Sequence, residues 1–258
     1  MREKELILGT MNASKSAQLL MKAFNLERQG KKVLVFKPET DTRDKGVVAS
    51  RALAETRPAL IVPKFDDGSF IAMNIFWENP DVILVDELQF LLVKQVEALA
   101  QASITYDIDI YAYGLLNSYT GKMFEPTKKA IECGFRISPI TMQCDKCMND
   151  ATNHLFYLGG ELQVGGDGIT VEDRENESQE YLSVCYSCYA SAVDKHNRKM
   201  KENMVTRISN AEQKITNEHI QMVITPHAGV HPNNLDNPQV STVGSKYKAT
   251  QNGDPFEL

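Results

Sequence analysis

The octapeptide GTMNASKS, Gly9 to Ser16, constrains this chain more than any other stretch. It follows the apolar run Leu6 to Leu8. It precedes Lys15 to Gln29, where Leu19, Leu20, Ala23, Phe24 and Leu26 recur at helical spacing before Gly30 can act as a stop. A strand, a tight polar loop and Lys-Ser at a helix start form an arrangement that grips phosphate. Successive backbone N–H groups point into the loop, the helix dipole adds partial positive charge, and the lysine supplies a full one. The pattern is G-x-x-x-x-G-K-[ST] with one departure, Ser14 in place of the second glycine. Glycine there permits a positive φ and a close approach to phosphate, both of which a Cβ hinders. Gly9, Met11, Asn12, Ala13, Ser14, Lys15 and Ser16 are therefore candidate nucleotide-binding residues. The competing reading is a β-to-α turn that merely contains Lys-Ser.

Beyond the loop, strands and helices alternate. Lys32 to Phe36 and Val82 to Val85 read as buried strands, the second announced by Asn79-Pro80. Gln89 to Gln101 reads as a helix, and Ile108 to Tyr113 as a strand ending at Gly114, while Asp41 to Ser50 is polar and loop-like. Such alternation predicts an α/β fold of the P-loop NTPase kind, a mostly parallel sheet with helices on both faces. The 258 residues fit one to two domains. Residues 1–139 are expected to form the ATP-binding α/β domain. Residues 140–192, rich in Cys, Gly and polar side chains, read as a small metal-stapled module with a long lasso-like loop. Residues 193–225, including the charged Lys195 to Ile215, read as a helical segment. Residues 226–258 hold too few large apolar side chains to offset ordering entropy and are expected to be a disordered tail.

Composition excludes several classes. A net charge of −6 argues against a broad nucleic-acid-binding face. No apolar run approaches the roughly 18 residues of a membrane span, so no membrane partner is expected. The opening MREKELILGT has too short an apolar region for a signal peptide, which points to a cytoplasmic protein. There, five cysteines are thiols or metal ligands rather than disulfides.

VILVDELQF, Val82 to Phe90, sets Asp86 and Glu87 at the carboxyl end of a central strand, the edge where an open α/β sheet binds its ligands. Asp86 suits Mg²⁺, directly or through water, with Ser16 as partner ligand. Glu87 points differently and can take a proton from an attacking hydroxyl. The other reading is an acidic helix N-terminus favoured by the dipole; Lys15-Ser16 upstream weighs against it. Cys144-x-x-Cys147 and Cys185-x-x-Cys188 can converge on one ion in a closed tetrahedral thiolate site, the usual home of structural Zn²⁺. Their gap exceeds the short zinc-ribbon spacing, so a long loop must be tied at its base. Four unrelated thiols are the bland alternative, and neither pair has a thioredoxin-like context. Cys133 is left over as a buried apolar residue. Arg43, in Asp41-Thr42-Arg43, either neutralises charge developing on a transferred phosphoryl group or is a solvated loop charge. His154, His196, His219, His227 and His231 show no catalytic pairing.

These motifs, in this order, resemble the type II thymidine kinases, the zinc-containing group of bacteria, large DNA phages and the animal cytosol. The resemblance runs from about Glu5 to Tyr189. It is carried by MNASKS (Met11 to Ser16), KPETDTR (Lys37 to Arg43), VDELQFL (Val85 to Leu91), AYGLLNSYTGKMF (Ala112 to Phe124) and YLSVCYSCY (Tyr181 to Tyr189). It implies ATP-dependent transfer of the γ-phosphate to the 5′-hydroxyl of thymidine, giving dTMP for DNA synthesis. In that reading Lys15 grips the phosphates, Ser16 and Asp86 serve Mg²⁺, Glu87 is the general base and Arg43 faces the phosphates. Phe90, Leu115, Tyr119 and Phe124 wall the base pocket, Tyr181 lies near the sugar and phosphate, and the loop between the zinc pairs closes over thymine. The resemblance also implies a homotetramer and inhibition by dTTP. Departures are Ser14, Leu116-Asn117-Ser118, Thr120, a few extra residues within Gly165 to Glu180, and the tail after about Val223. They keep open a nucleotide-binding relative whose catalysis is weakened. An ATPase or DNA-repair protein with a zinc ribbon would need a basic groove, of which the acidic balance gives little sign.

Overall fold

The computed structural model describes residues 2–42, 46–50, 52–166 and 178–224, with side chains to residue 216. The chain divides into two compact units, residues 1–203 and 204–258. The first unit opens with β1 (Lys4–Gly9), α1 (Lys15–Arg28), β2 (Val33–Pro38), β3 (Val47–Ser50), β4 (Leu53–Pro58), β5 (Leu60–Val62) and α2 (Ser69–Glu78). It continues with β6 (Val82–Val85), a 3-10 turn (Leu88–Phe90), α3 (Val93–Thr105), β7 (Asp109–Gly114), α4 (Glu125–Glu132) and β8 (Arg136–Ile140). Then come β9 (Asn153–Leu158), β10 (Glu161–Leu162), β11 (Gln179–Val184) and α5 (Tyr186–Ile224), which crosses into the second unit. The expected helix from Lys195 to Ile215 is part of α5; the expected tail, 226–258, lies outside the described residues.

Six strands form one sheet in the order β5-β2-β6-β7-β1-β8, and every neighbouring pair is parallel. Side chains alternate across a strand, and here the alternation builds two cores. Leu6, Leu8, Phe36, Ile83, Val85, Ile110 and Ala112 face one way, against Ile71 and Ile75 of α2, Val96 and Leu99 of α3 and Ala130 of α4. Ile7, Val35, Val82, Leu84, Tyr111 and Tyr113 face the other way, against Leu19, Leu20 and Ala23 of α1. The sheet is thus covered on both faces, as a parallel sheet requires. Because the strands run together, their carboxyl ends share one edge. In register, Leu8 lies beside Gly114 and Val85 beside Ala112. Gly9 ends β1 where space is short: a Cβ there would sit 2.9 Å from that of Ala13 and 3.2 Å from that of Ile140.

Two local expectations are corrected. The helix read as Gln89 to Gln101 begins only at Val93. Glu87 takes a left-handed conformation (φ 51°), the chain makes a 3-10 turn, and Leu91 and Leu92 are extended. Gln95 fixes the start: its Oε1 accepts from the Leu92 N–H at 2.9 Å, and its Nε2 donates to the Pro63 and Asp66 carbonyls. The stretch Asp41 to Ser50 is not all loop, since Val47–Ser50 pairs antiparallel with β4 and Val48 is fully buried in the α1-side core.

A second, antiparallel sheet, β10-β9-β11, follows β8. Its alternation also separates two faces. Leu155, Tyr157, Leu182 and Val184 pack with Cys144, Cys147, Cys185 and Cys188. His154, Phe156, Tyr181 and Ser183 occupy the intervening positions, and so the opposite face. No helix among the described residues is long and apolar enough to cross a membrane.

Lys37, near the end of β2, and Asp41, just past it, form an ion pair at 3.3 Å with both side chains only 2% exposed, and Lys37 Nζ also donates to the Val47 carbonyl. Removing one partner of a buried pair costs more than removing both, because a desolvated charge is left behind. Asp41→Ala is expected to lower unfolding free energy by about 3–5 kcal/mol. A Lys37→Met/Asp41→Leu double variant should recover most of that loss, as measured by urea denaturation.

Candidate active site

The turn between β1 and α1 is built on two left-handed residues, Asn12 (φ 65°) and Ser14 (φ 59°). Left-handed positions alternating with Ala13 turn successive amides to one side, the geometry of an anion-binding nest. Ala13 N–H donates to the Thr10 carbonyl at 3.2 Å, and Gln18 N–H to the Ser14 carbonyl at 3.0 Å, starting α1. Ser14 therefore adopts the conformation that favours glycine, at a cost of about 1–2 kcal/mol. Lys15 is buried, and its ammonium donates to the Thr10 carbonyl at 2.7 Å and the Gly9 carbonyl at 3.3 Å. Thr10 Oγ1 is buried with no hydrogen-bond partner among the described residues.

Across the sheet edge, Ser16 Oγ donates to the Asp86 carboxylate, 3.3 Å from Oδ2 and 3.5 Å from Oδ1. Asp86 is buried, and its own N–H donates to the Phe36 carbonyl. Glu87 is also buried, and its backbone is left-handed. A non-glycine residue held there stores strain of a kind found at functional sites. Glu87 accepts a hydrogen bond from Gln89 Nε2, while Gln89 Oε1 accepts the Leu115 N–H at 3.0 Å. Gln89 is thus a strut between the ends of β6 and β7. Gly114 makes room for it, since a Cβ at 114 would lie 2.8 Å from Gln89 Oε1.

The expected pocket residues fall into two aromatic groups. Phe90 meets Phe124 edge to face, with centroids 6.4 Å apart. Tyr119 and Tyr181 are joined by Phe156, which stacks on Tyr181 at 4.5 Å and tilts against Tyr119 at 5.1 Å. Leu115 is buried, and its carbonyl accepts from Thr127 Oγ1 at 2.8 Å. Arg43 and residues 167–177 of the long loop lie outside the described residues.

Sequence reasoning passed over Gln89, His154, Phe156 and Ser183. His154 Nε2 accepts the Met11 N–H at 2.9 Å, and Ser183 Oγ donates to the Met11 carbonyl at 3.0 Å. Burial, then the nearby Lys15 charge, pulls the His154 pKa down to about 4, against a hydrogen bond to the Asn117 backbone that raises it. The imidazole is therefore neutral near pH 7. One signal was available: in NHLFYL and QEYLSV, both polar residues share a period-2 face with an aromatic residue.

The four thiols of Cys144, Cys147, Cys185 and Cys188 converge, with ligand atoms all within 4.8 Å of one another, a set that could hold a metal ion. Burial raises the Cys144 thiol, but backbone donors at Cys185 and Lys146 outweigh it and bring it down to about 6. Hydrogen bonds to the sulfurs of Cys185 and Cys147 push Cys188 up to about 12.

A family model described as thymidine kinase matches residues 3–189. A thymidine kinase of Streptococcus agalactiae is 35% identical over 183 residues, covering 70% of this chain and 93% of that protein. One from Streptococcus pyogenes is 33% identical over 182 residues, 70% and 93% of the two chains. One from Encephalitozoon cuniculi is 29% identical over 185 residues, 71% and 84%. The matched region holds the phosphate-type loop, the Asp86-Glu87 edge and all four clustered cysteines, and the chain belongs to the thymidine kinase family.

Proposed function

We propose that this chain transfers the γ-phosphate of ATP to the 5′-hydroxyl of thymidine. The observation that carries the reading is the Ser16 hydroxyl facing the Asp86 carboxylate beside a lysine-bearing nest, with a second buried carboxylate, Glu87, one residue away. A hydroxyl and a carboxylate are hard oxygen donors that suit Mg²⁺, so Ser16 and Asp86 fit as its holders. When bound, Mg²⁺ would neutralise charge on the phosphates.

The chain's own groups supply the rest. Gly9 and residues 11–16 form the cradle for the phosphates, and Thr10 Oγ1 is a buried hydroxyl that a phosphate oxygen can satisfy. Lys15, already inside the loop, adds a full positive charge where negative charge collects. Glu87 takes the proton from the 5′-hydroxyl as it attacks phosphorus, and the Gln89 strut holds that carboxylate in place. Phe90, Leu115, Tyr119 and Phe124, together with Phe156, wall the base, and Tyr181 lies toward the sugar. Arg43 is proposed to face the phosphates.

The thiol cluster fits structural zinc. Cys147 and Cys185 sulfurs are 3.6 Å apart, Cys188 and Cys147 sulfurs 3.7 Å. A regular tetrahedron of ~2.3 Å zinc–sulfur bonds has edges of ~3.8 Å. Assembly as a homotetramer and inhibition by dTTP complete the proposal and rest on family membership alone. A catalytically weakened relative is the second reading, motivated by the strained Ser14 and by the Leu116-Asn117-Ser118 departure.

In a labelled-phosphate assay with ATP, Mg²⁺ and thymidine, the parent should turn over. Glu87→Gln should lower kcat by about 10²- to 10⁴-fold while nucleotide binding persists. A parent without turnover, indistinguishable from Glu87→Gln, would remove the kinase reading. Ser14→Gly should leave unfolding free energy within about 1 kcal/mol of the parent, because relief of backbone strain is offset by a more flexible unfolded chain. The same variant should keep or raise activity, and recovery of activity from an inactive parent would identify the weakened relative. Stripping metal with a chelator should lower the melting temperature, and adding Zn²⁺ should restore it.

A further inference from the structure

His154 lies outside every group assigned a role above, yet it is only 3% exposed, as is Ser183. The two are directly paired across β9 and β11. From that pair come the two hydrogen bonds to one residue of the phosphate loop: Met11 N–H into His154 Nε2, and Ser183 O–H into the Met11 carbonyl. The peptide groups on both sides of Met11 are therefore tied, immediately before the left-handed turn at Asn12. On the same sheet face, two residues along each strand, Phe156 stacks on Tyr181. The imidazole also hydrogen-bonds the Asn117 backbone, in the segment between Leu115 and Tyr119.

We infer that His154 and Ser183 are positioning residues, a two-point clamp through which the second sheet sets the phosphate loop relative to the nucleoside pocket. The inference rests on the kinase reading for the name of the pocket, but not for the clamp itself. Met11 N–H is committed to the imidazole, so the clamp aims the loop's amides at phosphate without contributing one. An imidazole whose Nε2 accepts carries its proton on Nδ1, which matches a carbonyl partner at Asn117. Burial beside Lys15 keeps the ring in that neutral form. A protonated ring would set N–H against the Met11 N–H.

The experiment is calorimetric binding of Mg·ADP and, separately, of thymidine to the full-length chain and three variants. His154→Leu leaves a buried amide without an acceptor, a defect of about 1–3 kcal/mol, or roughly 5- to 150-fold. The expected result is a loss of ADP affinity in that range with thymidine affinity within about threefold of the parent. His154→Gln, which offers an oxygen acceptor, should restore most of the ADP affinity, and Ser183→Ala should show a smaller loss. Unchanged ADP affinity in His154→Leu, equal loss of both ligands, or no rescue by Gln would overturn the clamp. Should His154→Leu fail to fold, Ser183→Ala decides, because its ADP affinity either drops selectively or does not. A parent that binds ADP but never phosphorylates thymidine removes the kinase reading and leaves the ADP comparison intact.

Discussion

Parallel strands deliver all their carboxyl ends to one edge, and the Ser16–Asp86 contact exists because of that rule. β1 and β6 are not neighbours; β7 runs between them. The turn after β1 and the turn after β6 must both lean over the end of β7 to meet. Gly9 permits the first, since even one carbon there would collide with Ala13. Left-handed backbone at Glu87 shapes the second. Gln89 then fastens that second turn to Leu115, just past β7. Phosphate loop, acidic edge and pocket entrance are therefore one connected object.

The second sheet repeats the principle on a smaller scale. A two-residue period sends Leu155, Leu182 and Val184 toward the thiols and His154, Phe156, Tyr181 and Ser183 away from them. One face packs on the thiols, and the other reaches Met11 through His154 and Ser183.

What the sequence disclosed was local. Leu6 to Ser16 and Val82 to Glu87 each carry strand, turn and polar group in a single stretch, so the place where Ser16 meets Asp86 could be read directly. The two Cys-x-x-Cys pairs were readable because thiol spacing is nearly diagnostic. Gln89 was not, because its partners lie on two different turns and only the folded edge brings Leu115 to it. His154 and Ser183 were hidden for the same reason, since their partner Met11 is more than a hundred residues away in the chain. Phe156 was hidden likewise, since its ring partners Tyr119 and Tyr181 stand on other segments that only the fold brings to it. The misplaced start of α3 had another cause: helical periodicity continues through Leu88 to Leu92, but the left-handed Glu87 and the Gln95 cap override it.

Gly114 has a practical corollary for anyone reshaping this sheet edge. The hydrogen atom at that position is what leaves space for the Gln89 carbonyl. A larger side chain at residue 114 would push on the amide that holds Glu87 and accepts the Leu115 N–H, so it would disturb the ends of β6 and β7 together. Phe90 and Phe124 touch through their rings, and so, separately, do Tyr119 and Phe156. Phe90 shares its 3-10 turn with Gln89 and donates its N–H to the Glu87 carbonyl, whereas Tyr119, Phe124 and Phe156 stand on other elements, away from that turn.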